Sequence, residues 1–565
     1  MNPRLKKALL FLVLVALLAV PRLAGLDRFA TIDEPYWLTA GSDFYYALGQ
    51  RAFEKTVYDY HPAVTTMWIV AAAMLAYFPQ YRGLGQGYFD VYKDTLERFL
   101  LSHGRTPLGL LTTGRVIQSL VIVFLLLVIF WFLQKLLGNA VAWTGTLLIS
   151  FDPFFLGHSR LLNHEGMLSL FVMVSLLVLL TYHLADRRLL YVAVSGAAAG
   201  FAQLTKSSSI VLLPVIGLLF LLDWLIQKDV SWRRRLLVAL RDIGIWASML
   251  VLAYVAFWPG MWVAPGEMLY QVFGNAFSYA FEGSRLSVTG GVDTTPYQFN
   301  WHDLYAIVWG MEWRTTVVVW VGLVLGVLAA IRQGRTVRVV LVSLFVIGVA
   351  FVLLFGIASG RNSAHYMLTA YVALDIIAAA GYIYAANWLA QRFPRTGHWA
   401  VPAVASVAVL LQAASALPFF PYYYTYFNPV MAAGNPGGHT PNYGYGEGLE
   451  LAADYLSKQP DAAGSTAVVF YGRGAFSYFY PGRTEQLKAV YADSENVPQL
   501  IDVLHGSRYV VLYYALEHQR NSPANVMQAL ESIQPLKSIW MNGIEYIRIY
   551  DVRDLPQAFY TALEQ

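Results

Sequence analysis

Long apolar segments recur along most of this chain and limit the folds that it can adopt. A transmembrane helix needs about 20 predominantly apolar residues, because the bilayer core has no water to satisfy backbone polar groups. Composition agrees, since 57% of the 565 residues are hydrophobic and only 13% are charged. The sequence therefore predicts a polytopic α-helical membrane protein with about 11 transmembrane helices. The apolar windows are 8–26, 115–133, 140–157, 167–185, 190–204, 209–226, 241–258, 314–331, 337–358, 367–390 and 399–419.

Lysine and arginine residues mark one side of the predicted membrane. The positive-inside rule places short loops rich in these residues on the cytoplasmic side. With eleven spans every basic cluster falls on one face, and the N-terminus lies inside. If the apolar segment 63–78 also crossed the membrane, every later basic cluster would move to the outer side. We therefore expect this segment to lie in or dip into the outer leaflet. The clusters are Arg4, Lys6 and Lys7; Lys135; Arg187 and Arg188; Lys228, Arg233, Arg234, Arg235 and Arg241; Arg332, Arg335 and Arg338; and Arg392 and Arg395.

This orientation divides the chain into three predicted regions of a multi-pass plasma-membrane protein. Residues 1–420 form the transmembrane domain, whose first outer loop, 27–114, contains amphipathic helices. A linker rich in Gly and Pro, 421–448, leads into a small extracytoplasmic α/β domain, 449–565. Within that domain the pattern favours strands at 467–472, 509–514 and 544–552 and a helix at 525–533.

Charge and cysteine content exclude several classes of function. The formal net charge is +4, which is too weak a balance to indicate a nucleic-acid partner. The chain has no cysteine, which excludes disulfides, a thiolate nucleophile and a Cys-based zinc site.

Asp33 and Glu34 form an acidic pair a few residues after the first apolar segment. Adjacent carboxylates near a membrane repel each other and lose hydration. Pro35 follows the pair, and a helix that starts there would place both carboxylates at its positive end. Two interpretations therefore stay open: a capped helix lying at the interface, or a chemical role for the acids.

The sequence HSRLLNHEGM (158–167) places Arg160, His164 and Glu165 in a very short loop between the third and fourth predicted spans. An acid directly before an apolar span needs a partner. His158, His164 and Glu165 could bind a divalent metal, although their spacing is not a recognised ligand pattern. A loop whose charged residues only face water is the alternative.

Several basic and aromatic residues fall on the same predicted face. Lys206 is a lone cation between two spans, and GRNSAHY (360–366) brings Arg361, His365 and Tyr366 together. His61 precedes Pro62 in the first outer loop. Lys, Arg and His side chains suit an anionic phosphate. Each also has an ordinary interpretation, because lysine side chains extend to the interface, charges solvate loop ends and aromatic residues line membrane boundaries.

Acids and bases on one membrane face together suit a lipid-linked phosphosugar. Acidic groups would bind the sugar hydroxyls, and basic groups would bind the phosphate. Because the phosphate is already a good leaving group, one carboxylate suffices as a base that deprotonates the attacking hydroxyl. A glycoside hydrolase would instead need two facing carboxylates.

The order of these motifs resembles that of the GT-C glycosyltransferases. Asp33-Glu34 follows the first span, His61-Pro62 comes later in the same loop, and Gly114-Arg115 opens the next span, before HSRLLNHEGM. The chain is similar to glycosyltransferase family 39, the dolichyl-phosphate-mannose protein mannosyltransferases, and to the aminoarabinose lipid A transferases. LTKSSS (204–209) resembles the lysine loop of the latter, and RNSAHYMLTAY (361–371) resembles a late segment of both. The resemblance covers about residues 1–455.

This resemblance implies a membrane-embedded hexosyl or pentosyl transferase. Such an enzyme moves a sugar, with inversion, from polyprenyl or dolichyl phosphate to an extracytoplasmic acceptor hydroxyl or phosphate on a protein, glycolipid or wall polymer. Asp33 would be the base or the residue that orients the acceptor, with Glu34 beside it, and Glu165 would occupy the second acidic position. Relatives range from metal-independent to metal-dependent, so no cofactor is certain and a divalent metal stays open. The implied donor-phosphate residues are His61, Lys206, Arg361, His365 and Tyr366, and the implied acceptor or second-site residues are Arg160 and His164.

The alternative function is a polytopic transporter or flippase of a lipid-linked or small polar substrate. Such a protein would carry charges near the bilayer midplane and discontinuous helices in matched halves. Here the titratable residues lie near the outer ends of the predicted spans, with Asp375 as the main exception. The sequence therefore favours the transferase.

Overall fold

The computed structural model of this chain is predominantly helical. It describes residues 2–58, 61–226, 231–277, 284–286, 292–294, 301–357, 363–395, 397–434, 444–470, 472–486, 497–514 and 530–564. Before the C-terminal region, the helices are α1 (Pro3–Leu23), α2 (Glu34–Gln50), α3 (Val64–Tyr77), α4 (Thr95–Ser102), α5 (Pro107–Leu137), α6 (Asn139–Phe151), α7 (Pro153–Ser159), α8 (Glu165–Leu184), α9 (Leu189–Thr205), α10 (Leu212–Ile226), α11 (Trp232–Phe257), α12 (Gly260–Val263), α13 (Pro265–Leu269), α14 (Asn275–Phe277), α15 (Trp301–Arg314), α16 (Val317–Arg332), α17 (Arg335–Ile357), α18 (Leu368–Arg392), α19 (Gly397–Ala416) and α20 (Pro429–Ala433).

Many of these helices are long and apolar enough to cross a membrane. Among the described residues there are seven such helices, or nine if each of two bent pairs counts as one span. The windows 8–26 and 190–204 correspond to α1 and to α9, which has 17 residues. Helix α3 has 14 residues and is about 21 Å long at 1.5 Å per residue, shorter than a bilayer core. The polytopic helical architecture is confirmed, whereas the count of eleven spans stays a prediction.

The two bent pairs have identifiable local causes. Between α6 and α7 the axis turns by 69°. Pro153 cannot donate a hydrogen bond to α6, and the Asp152 carboxylate instead accepts from the backbone N–H of Phe155 at 2.6 Å, which starts α7. Between α15 and α16 the axis turns by 108°, where the Thr316 hydroxyl caps α16 through the Val319 N–H. The first break directs α7, which contains the start of the HSRLLNHEGM segment, away from the axis of α6.

The C-terminal region folds around a five-stranded mixed sheet. Its strands are β3 (Thr466–Val469), β4 (Arg483–Gln486), β5 (Tyr509–Leu512), β6 (Lys537–Met541) and β7 (Ile544–Asp551), and its helices are α21 (Leu449–Ser457), α22 (Arg473–Ser477), α23 (Val497–His505) and α24 (Gln557–Glu564). The strand order is β4-β3-β5-β7-β6, in which β3 is parallel to β4 and β5, and β7 is antiparallel to β5 and β6.

A separate antiparallel pair consists of β1 (Ser284–Leu286) and β2 (Val292–Thr294), which precede α15 in the chain.

A buried apolar core stabilises the C-terminal region. Val468 and Val510 of the central strands pack with Leu504 of α23 and Phe559 of α24. Removal of such side chains from water is the main favourable contribution to folding. The predicted small C-terminal α/β domain is confirmed, as are the three predicted strands. Most of the predicted helix, 525–529, lies outside the described residues.

Contacts divide the chain into two compact units. The first unit comprises Met1–Ala24, Gly41–Gln86 and Gly114–Pro441. The second unit comprises Gly25–Ala40, Gly87–Thr113 and Asn442–Gln565. Two pieces of the predicted first outer loop therefore fold with the C-terminal region, and each unit carries some of the predicted site residues.

Candidate active site

A buried ion pair lies at the centre of the candidate site in the first unit. Glu165 is the first residue of α8, and Lys206 ends α9 in an extended conformation. The Lys206 ammonium donates a short hydrogen bond to Glu165 Oε1. Lys206 is fully buried and Glu165 is 4% exposed, so each charge depends on the other for compensation. Two helix ends are thus joined by the side chains that the sequence singled out.

Aromatic rings cover the other side of the Lys206 ammonium. Its Nζ lies 4.1 Å from the centroid of the Tyr366 ring and 5.8 Å from that of Phe355. The Tyr366 and Phe355 rings stack at 5.1 Å. The His365 ring lies 4.3 Å from Tyr366. A cation over a ring face is attracted by the ring quadrupole, most strongly away from water.

Four histidines lie around this pair, at positions 61, 158, 164 and 365. His164 Nε2 lies 3.5 Å from the same Glu165 oxygen that Lys206 contacts. The rings of His61 and His164 are 5.4 Å apart, and the His158 ring stacks on His365 at 5.6 Å. We call the set His61, His158, His164, Glu165, Lys206, His365 and Tyr366 the Lys206 cluster.

His61 lies before α3, outside the apolar helices, and is 9% exposed. Burial lowers the pKa of His61 well below its usual range, and the nearby Lys206 and His164 lower it further. Glu165 has the opposite, smaller effect. His61 is therefore neutral near pH 7 and adds a hydrogen-bonding group to the Lys206 cluster without another charge.

Arg160 points to a different place from the Lys206 cluster. Its guanidinium donates a short hydrogen bond to the backbone oxygen of Ala24, just after α1. It also lies 5.3 Å from the Tyr423 ring and 5.8 Å from the Phe420 ring. Fully buried Arg22 interacts electrostatically with it. Sequence reasoning missed Arg22, although an arginine at the end of an apolar segment was a visible signal. Arg361 lies outside the described residues.

The acidic pair belongs to the second unit, and its two members differ. Glu34 is fully buried and accepts hydrogen bonds from the Thr31 N–H at 2.8 Å and the Thr31 hydroxyl at 2.9 Å. This arrangement holds the start of α2, as the capped-helix interpretation expects. Asp33 is exposed and accepts a 2.6 Å hydrogen bond from the Tyr445 hydroxyl. Sequence reasoning missed Tyr445, which lies within the predicted linker.

No metal-binding group is found in the part of the chain that the structure describes. Three or more His, Asp or Glu side chains placed to share an ion do not occur there. The His158 ring instead stacks on His365, and the Glu165 oxygen that His164 approaches is already paired with Lys206.

One family matches the segment that contains most of the Lys206 cluster. Residues 110–262 match the family described as dolichyl-phosphate-mannose-protein mannosyltransferase. This segment includes Arg160, His164, Glu165 and Lys206. No curated protein sequence matches the chain.

Solved structures of three proteins resemble the chain at low identity. ArnT from Cupriavidus metallidurans bound to undecaprenyl phosphate is 12% identical with a TM-score of 0.47, over 95% of this chain and 97% of that one. The oligosaccharyltransferase AglB from Archaeoglobus fulgidus, in complex with an inhibitory peptide and a dolichol-phosphate, is 12% identical with a TM-score of 0.47, over 99% and 77%. The S. cerevisiae Pmt1-Pmt2 complex bound to the sugar donor is 17% identical with a TM-score of 0.36, over 51% and 37%.

These TM-scores lie below 0.5, so the three likenesses assign no role to any residue of this chain. The family match rests on sequence and favours the transferase over the transporter. The resemblance that the sequence indicated is thereby confirmed for residues 110–262, which are similar to the dolichyl-phosphate-mannose-protein mannosyltransferases.

Proposed function

We propose that this chain is an integral membrane glycosyltransferase that moves a sugar from a polyprenyl or dolichyl phosphate to an extracytoplasmic acceptor, with inversion at the anomeric carbon. One observation carries the proposal. A fully buried lysine is held between a carboxylate and an aromatic ring, inside the segment that matches a lipid-donor mannosyltransferase family.

Lys206 is the central group for the donor phosphate. Its ammonium contacts the Glu165 carboxylate and lies over the Tyr366 ring, and these two contacts limit its position. In a poorly hydrated site a cation attracts a phosphate far more strongly than in water. His365 and neutral His61 can add hydrogen bonds, and Arg361 would supply a second charge. A phosphate that approaches Lys206 competes with Glu165 for the ammonium, so donor binding and release are linked to this pair.

Asp33 is the proposed base. Its carboxylate accepts the proton of the acceptor hydroxyl while that oxygen attacks the anomeric carbon from the face opposite the phosphate. The bond between the anomeric carbon and the phosphate oxygen breaks, and both electrons leave with the polyprenyl phosphate. Lys206 stabilises the charge that develops on this phosphate. One displacement inverts the configuration.

The remaining site residues have supporting roles in this proposal. Glu34 holds the segment that carries Asp33, because its carboxylate binds Thr31. Glu165 is the second acid, and its carboxylate orients the Lys206 ammonium. His164, next to Glu165, and Arg160 serve the acceptor or a second site. The transferred group is a hexose or a pentose, and the acceptor is a protein, a glycolipid or a wall polymer.

The proposal also assigns an orientation in the membrane. The N-terminus is cytoplasmic, and the reaction takes place at the extracytoplasmic face of the plasma membrane. Residues 1–420 form the transmembrane domain, and residues 449–565 form the outer domain after the linker 421–448. The apolar helices and the C-terminal sheet support this division.

Replacement of Asp33 tests the function directly. Membranes that contain the full chain are incubated with undecaprenyl-phosphate and dolichyl-phosphate sugars carrying radiolabelled hexose or pentose, and label leaving the donor fraction is measured. Asp33→Asn removes the base but keeps the shape, so we expect transfer to fall by about 100-fold or more. Asp90→Asn, at an exposed position of the same unit, is the matched control and should transfer normally.

Transfer by Asp33→Asn at the wild-type rate would disprove the proposed mechanism. A transporter predicts a different result, in which labelled donor changes leaflet without any label reaching an acceptor.

A further inference from the structure

A hydrogen bond joins the exposed acid of the second unit to a tyrosine far along the chain. The Tyr445 hydroxyl donates to Asp33 Oδ2 at 2.6 Å, across 412 residues of sequence. A second bond joins the two segments, because the Ile32 N–H donates to the Tyr445 backbone oxygen at 3.1 Å. The backbone bond between Ile32 and Tyr445 therefore supports the side-chain bond between Asp33 and Tyr445.

The outer domain fixes Tyr445 from its other side. The Tyr445 N–H donates to the Glu447 carboxylate. The Tyr513 hydroxyl, fully buried just after β5, donates to Glu447 and accepts from the Gly446 N–H at 3.1 Å. This network links the segment around Asp33 to the central sheet, and such support limits the orientations that a site residue can adopt.

Close backbone contacts limit movement between the two segments. Gly446 has φ of +106°, and a Cβ there would lie 3.0 Å from both the Ala30 oxygen and the Ile32 nitrogen. A Cβ on Gly472 would lie 2.7 Å from the Ile32 side chain. Only glycine allows this approach, so the outer domain and residues 30–35 form one closely fitted structure.

We propose that Tyr445 is a positioning residue for Asp33, and that the outer domain thereby orients the proposed base. This inference rests on the proposed role of Asp33 as the base. The hydrogen bond occupies Asp33 Oδ2 and holds the carboxylate in one orientation. Asp33 Oδ1 then faces the acceptor hydroxyl in a defined direction, which a freely rotating exposed aspartate would not offer.

Removal of one hydroxyl tests this role. Tyr445→Phe keeps the ring and loses the bond to Asp33. We expect kcat of the full-length protein to fall by about 10- to 100-fold, the range for a hydrogen bond to a charged group. The KM for the polyprenyl-phosphate sugar that wild type uses should stay at the wild-type value, and the thermal unfolding midpoint should fall no further than that of the control variant. Tyr509→Phe is the control, because it removes a 2.9 Å tyrosine–aspartate bond, to Asp461, elsewhere in the same domain.

The outcomes separate this inference from the proposed function. A wild-type kcat for Tyr445→Phe, with Asp33→Asn inactive, overturns the positioning role and leaves the function intact. Equal losses in Tyr445→Phe and Tyr509→Phe, accompanied by lower unfolding midpoints, also overturn it, because domain stability would then explain both. Wild-type transfer by Asp33→Asn overturns both proposals.

Discussion

At the scale of single residues, the pair of Lys206 and Glu165 dominates the candidate site. Neither side chain has appreciable access to water, and they join the ends of two apolar helices. Burial of one such charge without its partner costs far more than an exposed pair contributes. If Lys206 binds the donor phosphate as proposed, stability and donor binding depend on the same two side chains, and paired variants are needed to separate the two effects.

Replacement of Lys206 should destabilise the protein strongly. Lys206→Met leaves the Glu165 carboxylate buried and uncompensated, so we expect a loss of about 3–5 kcal/mol of unfolding free energy. The double variant Glu165→Gln/Lys206→Met should recover most of this stability, yet undecaprenyl phosphate should no longer raise its unfolding midpoint. Lys458→Met, which breaks an exposed pair with Asp454, should cost less than about 1 kcal/mol. Full donor stabilisation of the double variant would refute the phosphate role of Lys206.

His61 should make the protein sensitive to acid. Burial lowers the pKa of folded His61, so below the usual histidine pKa the unfolded chain takes up a proton that the folded chain does not. Stability attributable to His61 is then lost as the pH falls through about 6.5 towards the lower folded value. Burial is the main cause of the lower pKa, and the charged and titratable neighbours Lys206, His164 and Glu165 modify it.

His61→Gln removes that titration. Between about pH 6.5 and 5 its unfolding midpoint should therefore fall less than that of wild type, whereas above pH 7 the two should depend on pH equally. Parallel curves across both ranges would mean that His61 does not titrate as its burial indicates.

At the scale of elements, helix ends and close approaches position the functional groups. Lys206 reaches Glu165 because α9 stops there and α8 begins at the acid. Asp33 directly precedes α2, and α22 of the C-terminal domain approaches the same stretch, where Gly474 faces Pro35. Residues 30–35 are thus part of the fold of the second unit as well as a candidate catalytic segment.

A methyl group on Gly474 should disturb this contact. Its Cβ would lie 2.4 Å from Cγ of Pro35, whose ring cannot rotate away. We expect Gly474→Ala to cost about 1–3 kcal/mol and to lower transfer, because the segment that holds Asp33 must move. Gly464→Ala is the control, since nothing lies within 4 Å of a Cβ at that position. Thermal unfolding measures the stability of the two variants, and the transfer assay measures their activity. If the two variants had equal stability and equal transfer, the close approach of Gly474 to Pro35 would not constrain the segment that holds Asp33.

At the scale of the whole molecule, the absence of cysteine allows a clean test of membrane orientation. Single cysteines can be introduced into the natural chain, which has none. On the predicted topology, Asp90→Cys and Gly464→Cys should react with a membrane-impermeant maleimide in intact cells. Gly334→Cys lies between Arg332 and Arg335 and should react only after permeabilisation. Labelling of Gly334→Cys in intact cells would reverse the predicted orientation.

Sequence alone determined the solvent, the fold class and most of the candidate chemistry. Apolar windows predicted the helices because a bilayer demands long uninterrupted apolar segments. Charged or titratable groups near lipid are energetically costly, so each is expected to have a partner or a function. For this reason the sequence singled out the acid pair, Glu165, Lys206 and His365. These signals are local, and each is legible within a few residues.

Only the tertiary structure decided which groups meet. The pairing of Lys206 with Glu165 spans 41 residues, and the bond from Tyr445 to Asp33 spans 412. Nothing in the local composition of a Gly/Pro-rich stretch indicates that its tyrosine will bind the acid pair, or that Gly474 will face Pro35. Such contacts depend on how whole elements fit together, because a hydrogen bond or a close approach is defined by distance in space, whereas hydrophobic periodicity is defined along the chain.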